Sequence, residues 1–105
     1  MTGVNTLYAA LLQNEEFKNA NFEKLDGALA GGMATQTETI RKWKEVTGTN
    51  LYEGYGLTET SPVLSLQPLN DTFRPGWIGV PVQNTKMRIV DDDGKVLPIG
   101  DIGEI

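Results

Sequence analysis

Between Glu53 and Pro62 the chain reads Glu-Gly-Tyr-Gly-Leu-Thr-Glu-Thr-Ser-Pro, and its side chains are a compact set of chemical groups. Gly54 and Gly56 flank Tyr55 and let backbone pass close to a flat ligand, because glycine lacks a Cβ and tolerates positive φ. The Tyr55 ring offers a face to stack on and a phenol to anchor. Thr58 can donate to a phosphate oxygen, and Glu59 is a hard oxygen ligand of the kind Mg²⁺ prefers. One stretch thus holds a candidate group for a base, a phosphate and a metal. The same residues also read as a glycine-relaxed strand end followed by a solvated Thr-Glu-Thr turn. Short glycine-rich matches arise often by chance, so the stretch alone leaves both readings open.

Composition narrows the chemistry. The chain has 105 residues, enough for one domain, with 39% hydrophobic and 22% charged residues, an ordinary globular balance. Its net charge of −5 has no long block of either sign, which argues against a nucleic-acid surface. There is no cysteine and no histidine. Thiolate zinc, disulfides, thiol nucleophiles, Ser-His-Asp triads and His-ligated metals are therefore excluded within this sequence. General bases would be carboxylates, and a metal would be held by oxygen. The first residues, Met1-Thr2-Gly3-Val4-Asn5, do not have the make-up of a secretory signal, and no apolar run approaches the roughly 18 residues of a membrane span. Cytoplasmic placement is the expectation.

The elements that must position the Tyr55 stretch follow from periodicity. Val4, Leu7, Tyr8, Leu11 and Leu12 recur as one stripe of an amphipathic helix. Asn14 breaks that helix, Glu15 to Lys18 adds a turn, and Phe22 and Leu25 anchor the polar connection that follows. Ala28-Leu29-Ala30 reads as a short strand buried on both faces, ending in Gly31-Gly32. Thr35-Gln36-Thr37-Glu38 has capping-box spacing, which predicts a helix with Thr35 at its N-cap. Ile40, Trp43 and Val46 keep to one side of it, Trp43 as a core anchor, and Gly48 stands at the C-terminal cap. Leu51-Tyr52 opens a second strand leading into the Tyr55 stretch. A strand–helix–strand unit of this kind pairs in parallel with a right-handed crossover. Both glycine clusters then fall at the C-terminal edge of one sheet, where open α/β sheets bind ligands.

Beyond Pro62 the texture becomes antiparallel β. Val63 to Leu66 reads as a strand, Gln67 to Pro75 as a loop, and Gly76 to Pro81 as a glycine-spaced corner. Thr85 to Val90 alternates apolar and polar like a half-buried strand. Asp91-Asp92-Asp93-Gly94-Lys95 is hairpin-turn chemistry, from which Val96-Leu97 returns. The aspartates do not match an EF-hand loop, because Ile89 stands where its first Asp belongs, so a solvated hairpin tip is the expectation. Pro98 to Ile105 heads into another strand and ends without a cap, which reads as a piece of a larger protein. The expected fold class is α/β: a short parallel strand–helix–strand unit followed by an antiparallel segment forming part of a barrel.

In order along the chain, Gly31-Gly32-Met33, Tyr55-Gly56-Leu57-Thr58-Glu59, Gly76-Trp77-Ile78-Gly79-Val80-Pro81 and Gly103-Glu104-Ile105 resemble the AMP-forming adenylating superfamily of acyl-CoA synthetases, luciferases and peptide-synthetase adenylation domains. Gly3-Val4-Asn5-Thr6-Leu7, together with Glu53 to Pro62, is most similar to bacterial long-chain fatty-acid–CoA ligases. The resemblance implies a two-step reaction. A fatty-acid carboxylate attacks the α-phosphorus of ATP to give an acyl-adenylate and pyrophosphate, and the thiol of coenzyme A then displaces AMP. It places Gly31, Gly32 and Met33 on the adenine side and beside the acyl pocket. It packs Tyr55 against adenine, with Gly54 and Gly56 giving close passage. It assigns Thr58 to the α-phosphate and Glu59 to Mg²⁺, these two being the catalytic candidates.

The resemblance further implies that residues 1–62 are part of an α/β subdomain binding nucleotide and acyl group, and that residues 63–105 are part of a truncated antiparallel β-barrel subdomain. The partners it implies are fatty acid, ATP and coenzyme A, with peripheral contact at the inner membrane face and a homodimer as further possibilities for the parent protein. The superfamily's phosphate loop lies upstream of this segment. Its ribose-binding aspartate, hinge and adenylation lysine lie downstream, so the segment by itself is expected to be inactive. Ala34 stands where the superfamily often has proline. Two alternatives stay open: another acyl- or aryl-acid adenylating enzyme of the same superfamily, and, for the isolated piece, a structural or oligomerising module.

Overall fold

Tyr8 and Trp43 meet edge to face at the centre of the core, with ring centroids 4.9 Å apart and planes at 81°. Both side chains are fully buried. The computed structural model describes residues 1–70 and 72–105. Its elements are β1 (Thr2–Gly3), α1 (Asn5–Leu11), α2 (Glu15–Lys18), β2 (Ala28–Ala30), α3 (Thr37–Thr47), β3 (Leu51–Gly56), a 3₁₀ turn (Thr58–Thr60), β4 (Val63–Leu66) and β5 (Val80–Pro81). The strands form one sheet in the order β1-β2-β3-β4-β5. β1, β2 and β3 run parallel, and β4 and β5 add antiparallel. The expected α/β class, parallel first and antiparallel afterwards, is what the chain adopts. β1 is an addition: two residues are too few for a periodic signal.

Crossovers of one hand between neighbouring parallel strands carry their helices to the same face of the sheet. Accordingly α1 and α3 pack together, and Tyr8, Leu12, Ile40 and Trp43 close over Ala28, Ala30 and Leu51. Leu25 and Phe17 pack against this cluster, and Phe22 stacks beside Phe17 with centroids 5.0 Å apart. Leu29, between the two buried alanines of β2, points to the opposite side and lines a cleft. The expectation of a strand enclosed on both faces therefore gives way to one core face and one cleft face.

Two other local expectations are corrected. The α1 stripe is only partly inward. Val4 is the N-cap, and Val4 and Leu7 are 42% and 40% exposed, while Asn5 is buried. Leu7 lies against Gly3, where a Cβ would come within 2.6 Å of its Cδ2. At α3 the N-cap is Gln36 rather than Thr35, and no side chain of the expected capping box bonds there. The free N–H groups are taken by distant partners instead: Thr35 N donates to Glu53 Oε1 (3.3 Å) and Gln36 N to Asn5 Oδ1 (3.1 Å). Glu38 turns outward to Arg41 at 2.7 Å and Lys42 at 3.3 Å. The hydrogen-bonded Arg41 guanidinium, with Lys42 behind it, holds the Glu38 carboxyl down to about 2. Gly48 caps the other end as expected, at φ +74°.

In the second half β4 and the Asp91 turn are where the sequence puts them. Asp91 Oδ1 accepts from Asp93 N at 3.1 Å and Lys95 N at 2.8 Å, and Gly94 adopts φ +79°. Thr85 to Val90 does not form the expected strand. Its residues alternate between half-buried and exposed, but only Val90 is bridged, singly, to Val96 and to Glu104. Alternation marks a half-covered surface; a strand also needs a partner in register along its length. Among the described residues, no helix is long and apolar enough to cross a membrane.

Removing the Trp43 side chain leaves a void between α1, α3 and β3. Trp43→Ala is expected to lower the unfolding free energy by about 3–5 kcal/mol, and Trp43→Phe by distinctly less, in denaturant titrations followed by circular dichroism.

Candidate functional site

β2 stops at Ala30, paired with Glu53, while β3 continues to Gly56. The last three residues of β3 pair with β4 on one side, so their edge toward β2 faces only Gly31 and Gly32. The glycines that meet here have different duties. A Cβ on Gly56 would fall 1.8 Å from Pro62 O, and one on Gly54 would fall 3.0 Å from Ser65 O. These two are glycine because β4 and the turn before it press on them. Gly31 has only Gly54 O near its missing Cβ, at 3.7 Å, and Gly32 adopts φ +79°. These two shape open space.

A cleft lies on either side of this glycine-bearing strand end. The first, of about 360 Å³, is bounded by Gly3, Leu29, Gly31, Gly54, Leu57, Thr58 and Val63 and is largely apolar. The second, of about 320 Å³, is bounded by Met33, Ala34, Glu53, Tyr55, Leu57 and Ile78. Ala30, Gly32, Gly54, Tyr55, Gly56 and Leu57 border both. Of the residues singled out from sequence, Gly31, Gly32, Met33, Gly54, Tyr55, Gly56 and Thr58 are thus brought together. Glu59 borders neither cleft and stands exposed on the adjoining 3₁₀ turn.

That turn is built by Thr60. Its Oγ1 accepts from Leu57 N at 3.0 Å and lies 2.8 Å from Leu57 O and 2.9 Å from Pro62 O, either of which can take its proton. The backbone closes with Thr60 N to Leu57 O, and Ser61 follows at φ +61°. Thr58 and Glu59 ride on this fixed turn. None of the ion pairs among the described residues involves Glu59, and no group of three or more Asp or Glu side chains suited to a metal occurs among them. One free carboxylate is nevertheless a sufficient protein share for Mg²⁺, which usually takes one or two carboxylates and completes its shell with phosphate oxygens and water.

Several contributors escaped the sequence reading. Glu53 is 6% exposed and accepts backbone N–H groups from Thr35 and from Gly76 (2.6 Å). Gln67, fully buried, donates to the carbonyls of Arg74 and Trp77, and Ser65 Oγ donates to Ile78 O at 2.9 Å. Together they hang the 74–78 loop beside the second cleft. The available signal was a Glu at the inward register of an otherwise apolar Leu51-Tyr52 strand, and a Ser and Gln at alternate positions of the next.

The sequence profile of the AMP-binding enzyme family matches residues 1–105. The chain is 49% identical over 105 residues to a long-chain-fatty-acid–CoA ligase of Haemophilus influenzae and 44% identical to one of Escherichia coli O6:H1. In each case all of this chain aligns with 19% of the relative, so the chain spans about a fifth of the curated relatives it matches. Among solved structures, the anthranilate CoA ligase AuaEII in complex with anthranoyl-AMP superposes with a TM-score of 0.84 at 31% identity, over 97% of this chain and 20% of that one.

If Thr60 sets the turn, Thr60→Val should free the Leu57 N–H and speed its amide exchange about fivefold or more, the equivalent of about 1 kcal/mol, whereas Thr60→Ser should stay near the parent rate. Exchange read by NMR at Leu57 checks this.

Proposed function

The chain belongs to the AMP-binding enzyme family, and from that premise we propose that it forms the central wall of the adenylation site in an ATP-dependent long-chain fatty-acid–CoA ligase. The observation that carries the reading is the pair of clefts that share the Gly54-Tyr55-Gly56 wall, one largely apolar and bordered by Thr58, the other bordered by Met33, Ala34 and Ile78, with Glu59 exposed just beyond. An acyl-adenylate has the same division: an apolar chain and a flat base joined through a phosphate. The 49% and 44% identity to ligases named for long-chain fatty acids supports that substrate class.

In the proposed reaction a carboxylate oxygen of the fatty acid attacks the α-phosphorus of ATP, and the bond to the bridging oxygen breaks to release pyrophosphate. The thiol sulfur of coenzyme A then attacks the acyl carbon, and AMP leaves. Within this chain Tyr55 packs against adenine, while Gly31, Gly32 and Met33 border the base and the head of the acyl chain. Gly54 and Gly56 keep the strand between them free of side chains. The Thr58 hydroxyl donates to the α-phosphate, where negative charge must be held as the oxygens rearrange. Glu59 would hold Mg²⁺, which when bound neutralises charge on the phosphates.

Fatty acid, ATP and coenzyme A are the proposed partners of the complete protein. We place that protein in the cytoplasm, with peripheral contact at the inner membrane face where its substrate partitions, and with residues 1–62 and 63–105 belonging to its α/β and β-barrel subdomains. The segment alone, without the rest of the phosphate grip, is proposed to be inactive.

In the full-length protein carrying this chain, Glu59→Ala is expected to reduce kcat for adenylate formation about 10²-fold or more while leaving acyl-chain binding nearly unchanged. Pyrophosphate release and fatty-acid titration measure the two, and equal losses would remove the metal role. Activity across acids of graded length should rise toward long chains; a preference for short or aryl acids would replace the substrate and keep the reaction.

A further inference from the structure

Glu53 is the least expected charge in the molecule. It is 6% exposed, sits in β3 two residues before Tyr55, and has no ion-pair partner among the described residues. A buried carboxylate without a cation is costly unless its oxygens are hydrogen-bonded. Here the bonds come from backbone of two remote segments: Oε1 accepts from Thr35 N at 3.3 Å, and Oε2 accepts from Gly76 N at 2.6 Å. Those segments are 18 and 23 residues away in sequence. The backbone carbonyl of Glu53 is also engaged, by Gln67 N at 3.1 Å.

The two segments are the rims of the second cleft. Thr35 directly follows Met33 and Ala34, and Gly76 directly precedes Trp77 and Ile78; Met33, Ala34 and Ile78 border that cleft together with Tyr55. Neither rim is secured by a ladder of its own, since residues 31–36, 68–70 and 72–79 lie outside helices and strands. Gly76 is at φ +75°, with its N–H turned onto the carboxylate.

We propose that Glu53, which itself borders the Tyr55 cleft, is a positioning residue that brackets the cleft's two rims and so fixes its width for the adenine ring. This rests on the reading of that cleft as the adenine site. Two acceptor oxygens on one rigid strand position are what the task requires. Glutamine keeps the length but offers one oxygen and turns an NH₂ toward the other N–H. Aspartate is one methylene too short to reach both rims.

The test uses the full-length protein. Glu53→Gln is expected to raise the KM for ATP about tenfold, the scale of one lost hydrogen bond to a charged group. The KM values for fatty acid and coenzyme A should stay at wild-type levels, and kcat within about threefold of wild type. A purely structural role would lower the melting temperature and the folded fraction at an unchanged KM for ATP, and that result overturns the proposal. So does a rise of the same size in the KM for fatty acid. Wild-type protein that neither binds nor turns over ATP overturns the adenine reading and this proposal with it; normal wild-type ATP use with an unaltered Glu53→Gln variant overturns the bracket alone. Should that variant fail to fold, amide exchange in the wild type decides. The Gly76 and Thr35 amides should exchange at least tenfold more slowly than the exposed backbone amide of Asn70, and equal rates would overturn the bracket.

Discussion

The close approach of backbone to backbone along the second half of β3 is the constraint on which the rest of the structure depends. β3 can lie against the returning chain only where side chains are missing. A Cβ on Gly56 would sit 1.8 Å from Pro62 O, and one on Gly79 would sit 2.0 Å from Leu66 C and O. No rotamer change relieves a clash with main chain, so both sites are fixed by sterics before any ligand is considered. The tight return sets the 3₁₀ turn at Thr58–Thr60, and that turn sets where Thr58 and Glu59 stand. On its other edge the same strand runs past the end of β2, which opens the space beside Gly31 and Gly32.

Around this frame, buried polar side chains hold the segments that the sheet does not. The hydrophobic cluster lies under the first three strands and gathers Tyr8, Trp43 and their neighbours. In the loop from residue 72 to residue 79 it gathers Phe73, which packs against it and meets Tyr52 edge to face at 5.5 Å. There Gln67, Ser65 and Glu53 reach from β3, β4 and the residue just after β4 to the backbone of Arg74, Gly76, Trp77 and Ile78. Each such bond contributes modestly when made, on the order of 1 kcal/mol, but leaving the buried group unmatched costs more. Beyond Phe73, the loop is therefore ordered by these bonds to groups on the strands. Arg74 adds a guanidinium over the Trp77 ring at 5.8 Å, a weaker tie on the exposed side.

What was legible in the sequence was local and periodic. Val63–Leu66, the Gly48 cap, the Trp43 anchor and the Asp91 turn each follow from a few adjacent residues, and each is found where expected. Gathering Gly31-Gly32 with Gly54-Tyr55-Gly56 needed only the parallel strand–helix–strand rule. The failures were tertiary. Thr35 has ideal capping-box spacing, yet Glu53 and Asn5 take the N–H groups at α3, so the helix starts later and the Thr35 hydroxyl is left buried without a partner. Thr85 to Val90 has the right alternation but no strand to pair with in register. The two kinds of glycine were indistinguishable in sequence, because only the fold shows that a Cβ on Gly56 would clash with Pro62 while one on Gly31 would meet Gly54 O at an ordinary 3.7 Å.

On the proposed reading, the two clefts let one short strand serve both halves of an acyl-adenylate. The reacting carboxylate must sit where apolar chain and nucleotide meet, so the wall dividing them has to be thin and chemically inert at that point. Glycine meets both demands at Gly54 and Gly56, and Tyr55 between them, which borders both clefts, would supply the aromatic surface for the base. The donors then belong immediately beyond the wall, where Thr58 borders the first cleft and Glu59 projects freely. Placing them on a 3₁₀ turn instead of a mobile loop keeps their separation from Tyr55 constant, which matters because a displacement of about 1 Å at a reacting centre is enough to slow a reaction severely. On that proposal the order Gly-Tyr-Gly-Leu-Thr-Glu is the linear form of a spatial sequence: thin wall, base platform, thin wall, phosphate donor, metal ligand.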